Sequence, residues 1–232
     1  MTLPSLTVSK YELTVPSTEQ VVEYRPFLVK EEKILLLAQQ SGDEKDVIKA
    51  VENIIHECTF KKIDAKKLPI FDLEYIFVQL RSKSIGEIST INVTCPDDGE
   101  TKIELDINLE DVICEKSENY TNKIELTDKI GVIMSHPRIS TISSIDTSDA
   151  SSGFEIIKNC ISQIYDEEQV YDRSDMTKKE LDDFVNSMSH QQFMKLQEFF
   201  ENMPRVRYKT KVKNPKTGVK SDLVIEGLQN FF

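Results

Sequence analysis

One turn occurs twice in this chain, at places more than a hundred residues apart. Cys95-Pro96-Asp97-Asp98-Gly99 lies in "INVTCPDDGETKIEL" and Asn214-Pro215-Lys216-Thr217-Gly218 in "TKVKNPKTGVKSDLVIEGL". Both read X-Pro-X-X-Gly. Proline presets φ at the first corner, and glycine admits φ > 0 at the exit. Around the first copy, Ile91, Val93 and Cys95, then Ile103, Leu105, Ile107 and Leu109, alternate with polar residues. Period-2 alternation on both sides of a tight turn specifies a hairpin with one apolar face. The two segments therefore predict a small antiparallel sheet built from sequence-distant hairpins, about 88–107 and 205–226, with both turns at the same end.

The turns have the outline of a zinc knuckle, Cys-Pro-X-Cys-Gly, two of which supply four thiolates to a tetrahedral site. Here the four corresponding positions are Cys95, Asp98, Asn214 and Thr217. Asn and Thr are poor zinc ligands, so the expectation is two knuckle-shaped, degenerate zinc-ribbon-like turns that close without a metal, and no cofactor.

Helical periodicity governs much of the remainder. Lys30–Gln40 contains "ILLLA", apolar around more than half its circumference, which predicts a helix central to a core. Asp43–Cys58 follows, with Val47, Ile48, Val51, Ile54, Ile55 and Cys58 at helical spacing. A third helix is expected from about Pro69 to Ser84, facing inward with Phe71, Leu73, Ile76, Phe77 and Leu80. Two short strands are expected within 123–134. Further helices are predicted at Phe154–Tyr165, Thr177–Met188 and Ser189–Met203, the last two opened by the capping boxes Thr177-x-x-Glu180 and Ser189-x-x-Gln192. The polar stretch 140–152 reads as a connector. Its Asp146-x-Ser148 pattern lacks the glycine and terminal glutamate of a calcium loop. The fold class is α+β, with helical bundle-like units packed against the small sheet. Five segments follow: an N-terminal arm 1–28, a helical unit 29–87, a β-hairpin region 88–135, a second helical unit 136–203, and a C-terminal hairpin 204–232 completing the sheet with 88–107.

Catalysis finds little support. Three histidines and seven glycines form no nucleophile elbow, phosphate loop or dinucleotide fingerprint. No catalytic residue is assigned. The beginning of the chain lacks the pattern of a secretory signal, and the longest strongly apolar run, Ile34–Ala38, is far short of a membrane span. Cys58, Cys95, Cys114 and Cys160 show no C-x-x-C spacing and read as reduced thiols.

Charge points to surfaces instead. The chain carries a net −11, yet residues 204–220 hold seven Lys/Arg and no acid. Arg205, Arg207, Lys209, Lys211 and Lys213 fall on one face of a strand, with Val206, Tyr208, Thr210 and Val212 on the other. That strip is either a solvated face or a dock for an acidic protein surface. A nucleic-acid-binding ribbon is the competing use, disfavoured by the acidic remainder and by the absence of aromatics among the cations. A second docking candidate is the arm motif Arg25-Pro26-Phe27, through Arg25 and Phe27, whose plain alternative is packing on the chain's own helices.

Three stretches, "YELTVPSTEQVVEYRPFLVKEEKILLLAQQSGD" (11–43), "LPIFDLEYIFVQLRSKSIGE" (68–87) and "VIEGLQNFF" (224–232), resemble the baseplate proteins of T-even-type contractile-tailed bacteriophages, specifically the hub subunit or hub-assembly protein. The resemblance implies a non-enzymatic structural or assembly role, with other phage tail baseplate or hub proteins as partners. It implies location in the virion or in the host cytoplasm during assembly. Members of that family carry Cys-Pro-X-Cys turns where this chain has Cys95/Asp98 and Asn214/Thr217, a departure that bears on an inherited metal site rather than on the fold.

Overall fold

The computed structural model describes residues 6–143, 145 and 151–231. In chain order its elements are β1 (Tyr11–Thr14), β2 (Val21–Tyr24), α1 (Val29–Ser41), α2 (Glu44–Cys58), α3 (Ile70–Ser84), β3 (Ile88–Thr94), β4 (Lys102–Asn108), β5 (Ile113–Glu115), β6 (Lys123–Glu125), β7 (Gly131–Met134), α4 (Ile139–Ser143), α5 (Ser152–Asn159), β8 (Ile161–Tyr165), β9 (Val170–Asp172), α6 (Lys178–Asn186), α7 (His190–Asn202), β10 (Arg205–Lys213) and β11 (Lys220–Glu226). The mixture of helices with small antiparallel sheets is an α+β fold. The Asp146-x-Ser148 pattern lies outside the described residues.

The chain divides into two compact units. The first joins the residues up to Glu115 with those from Arg205 onward, and the second is Lys116–Pro204. The five segments read from the sequence are thus gathered differently in space: strands 123–134 belong with the second unit, apart from the hairpin of 88–107.

In the first unit the arm is a hairpin, β1 antiparallel to β2. Its turn is fastened to α3, where fully buried Asp72 accepts the Ser17 N–H at 2.9 Å and the Ser17 hydroxyl. α3 is the central helix, with Phe71, Leu73, Ile76, Phe77, Val78 and Leu80 at most 3% exposed. α1 does not take that role. It buries Glu31, Leu35 and Ala38 and leaves Ile34, Leu36 and Leu37 outside. A helix apolar around more than half its circumference calls for cover on more than one side, and within this unit α1 is covered on one.

The two knuckle-turn hairpins do lie in one unit but do not share a ladder, which corrects the expectation of one sheet. β3 pairs with β4 alone, whereas β10 sits between β11 and β5. The sequence reading overlooked Ile113-Cys114-Glu115, three residues too short to show a period, which take the edge of β10. The two sheets instead share a core: Ile91, Ile107, Leu109, Val112, Val206 and Ile225 pack with Phe71, Val78 and Phe231.

A carboxylate sits at the end of this core. Glu74 of α3 accepts the backbone N–H of Leu228 at 3.2 Å, holding the final 3₁₀ turn that buries Phe231. Burial pushes its carboxyl up to about 7, against the lowering pull of the Leu228 N–H, and nearby Glu226 adds to the rise. A carboxyl raised in the folded state keeps its proton after the unfolded chain has lost its own, so stability falls as pH rises from about 4.5 to about 7. Glu74→Gln retains an acceptor for Leu228 without the charge. In urea titrations it should exceed wild type by about 2 kcal/mol at pH 8 and match it at pH 5; parallel pH profiles would refute this.

The second unit is an antiparallel meander, β6-β7-β8-β9, whose core joins Val132, Met134 and Ile161 to Leu181 of α6 and to Phe193, Leu196 and Phe199 of α7. Both capping boxes form. Thr177 and Glu180 bond reciprocally at 2.8 and 3.2 Å, and Ser189 and Gln192 at 2.8 and 3.3 Å. The helix expected over Phe154–Tyr165 stops at Asn159, and its second half is strand β8. The cause is a bulge: Ile133 faces Gln163 while Met134 faces Ile161, leaving Ser162 as the extra residue. A bulge shifts side-chain parity by one, so Ile161 and Ile164, three apart as on a helix, both join the core.

Candidate protein-docking site

The twin turns meet tip to tip. In each, the glycine N–H closes on the carbonyl four residues back, Gly99 to Cys95 at 3.0 Å and Gly218 to Asn214 at 2.9 Å. Both glycines stand at positive φ, +66° and +75°. Asn214 is 1% exposed and links the two. Its Oδ1 accepts the N–H of Lys216 at 2.8 Å, within its own turn. Its Nδ2 donates across to Asp97 Oδ1 at 3.0 Å and Asp98 Oδ2 at 2.9 Å. Thr217 Oγ1 donates to Asp97 Oδ2 at 2.6 Å. Asp98 also takes the N–H groups of Glu100 and Thr101 and the Thr101 hydroxyl. Those bonds, the Thr101 hydroxyl foremost, hold the Asp98 carboxyl well below the usual range. Hydrogen bonds from Thr217 and then Asn214 lower Asp97 as well. Cys95 lies buried beneath, its thiol pushed up by desolvation and by the two aspartates. Among the described residues no group of three or more His, Cys, Asp or Glu is placed to hold a metal ion.

The cationic strip has the predicted alternation, with Val206 and Val212 buried opposite the charges. Most of its charge is met within the unit. Arg207 reaches Glu115 at 3.3 Å and pairs with Glu226. Lys209 reaches Glu115 at 2.6 Å, Arg205 reaches Glu226 at 3.7 Å, and Lys211 reaches Asp222 at 3.5 Å. Lys213 differs: the residue opposite it is Lys220, and no acidic partner reaches it among the described residues. Lys216 and Lys220, also exposed, extend that end. The acids were readable, since Asp222, Val224 and Glu226 share one parity on the returning strand; Glu115 was not, because β5 was missed.

Arg25 and Phe27 turn inward. Phe27 is 6% exposed, and its N–H donates to Ser84 Oγ at 2.9 Å. Arg25 Nη2 pairs with buried Glu31 at 3.0 Å, while Glu31 accepts the Leu28 N–H at 2.8 Å and so caps α1. Burial alone would raise the Glu31 carboxyl; the bonds from Arg25, Leu28 and Lys30 outweigh it and hold it below its ordinary value. The motif fastens the arm to α1, leaving neither side chain as an outward hook.

The surface that sequence reasoning missed is α1 itself. Val29 is 79% exposed, Leu37 56%, Leu36 51% and Ile34 42%. At 100° per residue Val29 and Leu36 line one side of exposed Lys33, and Leu37 and Ile34 the other. Four large apolar side chains are thus exposed on one helix face, interleaved with Lys30 and Lys33, the kind of surface that binding sites present. The clue was Lys30-Glu31-Glu32-Lys33, a charged turn directly before "ILLLA", more charge than a helix covered on every side carries.

Two of the histidines make local structural contacts. His56 Nδ1 lies 2.9 Å from the Ile63 carbonyl, and His136 Nε2 lies 2.6 Å from the Tyr120 hydroxyl. His190 opens α7. All four cysteines are free, and no helix among the described residues is long and apolar enough to cross a membrane.

Comparison with curated proteins and with solved structures returns no match. A family model, described as T4 bacteriophage base plate protein, matches residues 8–232. With nearly the whole length matched, this chain belongs to the T4 bacteriophage base plate protein family, a family of viral baseplate structural proteins.

Proposed function

We propose that the protein is a hub subunit or hub-assembly factor of the tail baseplate, acting by docking onto other baseplate proteins and not by catalysis. The observation that carries this reading is the α1 ridge, where Val29, Ile34, Leu36 and Leu37 are exposed around Lys33. Burying such side chains at a partner surface supplies about 25 cal/mol per Å2 of apolar area, the main favourable term in association. The lysine end of β10, with Lys213, Lys216 and Lys220, adds an electrostatic contact to an acidic partner surface. Arg205, Arg207 and Lys209 tie their own sheet together; Lys211, exposed and loosely paired, belongs with the lysine end. Both locations, virion and host cytoplasm during assembly, fit a hub component.

The test compares two variants in infected cells, scoring completed tails and assembly intermediates. Leu36→Gln with Leu37→Gln should fold as wild type, because both side chains already face water, and should lower tail assembly by about tenfold or more. Lys213→Glu with Lys216→Glu and Lys220→Glu should slow association in a salt-dependent way. Normal assembly with both variants would defeat the docking reading. A shift of DNA or RNA by wild type at physiological salt, lost in the lysine variant, would favour nucleic-acid binding by residues 205–213 instead. Presence in purified tails separates a hub subunit from a factor that departs.

A further inference from the structure

Between the two hairpins of the first unit runs a cleft of about 590 Å3, lined by Thr90–Thr94 of β3, by Leu223–Glu226 of β11, and by Asn230. Its walls are the edges of two sheets. β3 has β4 on one side only, and β11 has β10 on one side only.

The register tells which backbone groups are spent. In an antiparallel pair, directly opposed residues alternate between exchanging hydrogen bonds and pointing them away from each other. The Cys95 N–H bonds the Thr101 carbonyl, and the Leu109 N–H bonds the Glu87 carbonyl, so the odd-numbered residues of β3 face β4. The N–H and C=O groups of Thr90, Asn92 and Thr94 therefore point away from β4. Likewise the Asn214 N–H bonds the Val219 carbonyl, which commits Ser221, Leu223 and Ile225 to β10. Asp222, Val224 and Glu226 then turn their backbone outward, and of these the Glu226 carbonyl is taken by Asn230 Nδ2 at 2.7 Å.

The side chains carry the same message. Ile91 and Ile225 are buried in the shared core, while Val93 and Leu223, which also line the cleft, are only half-buried. A chain lying between β3 and β11 would complete their burial with every second side chain and would present the alternate ones to water.

We infer that this cleft accepts an extended segment of a partner protein as an added β-strand, paired to Thr90, Asn92 and Thr94 on one side and to Val224 on the other. The segment is four to five residues long, spanning about 16 Å, with apolar β-branched residues alternating with polar uncharged ones. Main-chain groups recognise it, so the partner is defined by extended conformation and alternation more than by charge. Adding the strand turns two sheets with open edges into one continuous sheet and removes both exposed edges. This surface is separate from the α1 ridge, and its test does not depend on the hub reading.

The probe is an acetylated, amidated peptide, Lys-Thr-Val-Thr-Val-Thr-Val-Lys, titrated onto the full-length protein by fluorescence anisotropy and by amide hydrogen exchange. Binding should slow exchange at Thr90, Asn92, Thr94 and Val224 by about tenfold, with Ile91 and Val93 already slow in the free protein. Asn92→Pro removes an N–H that β4 does not use and places a ring on the edge, a position where strands tolerate proline. It should weaken the peptide by about tenfold while leaving the melting temperature near wild type. Asn92→Ala, which keeps the N–H, should bind as wild type. The inference is overturned if the peptide does not bind, if it binds without slowing those amides, or if Asn92→Pro binds it undiminished.

Discussion

Asn214→Ala should cost the first unit about 3 kcal/mol and lower its melting temperature by roughly 6–12 °C, the largest loss from any single side chain in the paired turns. The wild-type amide answers four groups at once: both carboxylates of the facing turn through Nδ2, and the N–H groups of Lys216 and Thr217 through Oδ1. Removing it leaves Asp97 and Asp98 side by side without their shared donor and removes the only side chain spanning the two tips at a buried position. Asn214 is the buried partner, and its bonds to charged acceptors are of the kind that contribute about 1.5–3 kcal/mol each; two like charges left together add to the loss. Asn214→Asp separates the causes. A third carboxylate there should destabilise at pH 8 at least as strongly as alanine does, and the deficit should shrink as acid protonates the cluster. Asp97 and Asp98 are depressed in wild type, so their contribution is present above the unfolded carboxylate range near 4 and is lost as pH falls through their lower folded values. Chelator should leave the wild-type melt unchanged, since hydrogen bonds hold the tips together. A melting temperature within 2 °C of wild type for Asn214→Ala, or a wild-type melt that chelator lowers, would refute this account of the turns.

What the sequence disclosed depended on whether a signal was local. Turn chemistry and capping are local: Pro96/Gly99, Pro215/Gly218, Thr177/Glu180 and Ser189/Gln192 formed as read, since a few adjacent residues determine each. The convergence of the two tips was also legible, because matching turns on matching hairpins suggested a shared end. The ladder was not. β5 spans three residues, below the length at which alternation can be distinguished from chance, and its pairing to β10 crosses about ninety residues of chain. Ile161 and Ile164 misled because a bulge gives a strand the three-residue spacing of a helix. α1 misled for a deeper reason. Apolar periodicity reports that a surface wants cover, and it is silent on whether the cover comes from the same chain; Leu36 and Leu37 look identical in sequence to core residues. The cationic strip shows the converse, with Glu115, Asp222 and Glu226 answering charges that read as free when β10 was considered alone.

Arg25→Ala should destabilise the first unit by about 3–4 kcal/mol at pH 7.5 without changing partner binding by the folded protein. Arg25 and Glu31 form an ion pair whose side chains are 13% and 3% exposed, and Glu31 also caps α1 through the Leu28 N–H. Breaking such a pair from one side strands the other charge in a poorly solvated place, which costs about 3–5 kcal/mol. Lys30, 3.2 Å from Glu31 but exposed to solvent, recovers part of that. The pH dependence should reverse. In wild type the Glu31 carboxyl is depressed, so the pair stabilises fully above the unfolded value near 4.3 and weakens as pH falls through the lower folded value. In the variant, burial acts with less opposition and raises that carboxyl, so protonation relieves the strain and the deficit at pH 5 should be smaller than at pH 7.5. Arg25→Ala with Glu31→Gln removes the stranded charge and keeps an acceptor for Leu28, and it should lose less stability than Arg25→Ala alone. This cycle distinguishes the fastening role from an outward hook. A hook predicts a stable variant that fails to bind its partner, and that result would return Arg25 to the docking surface.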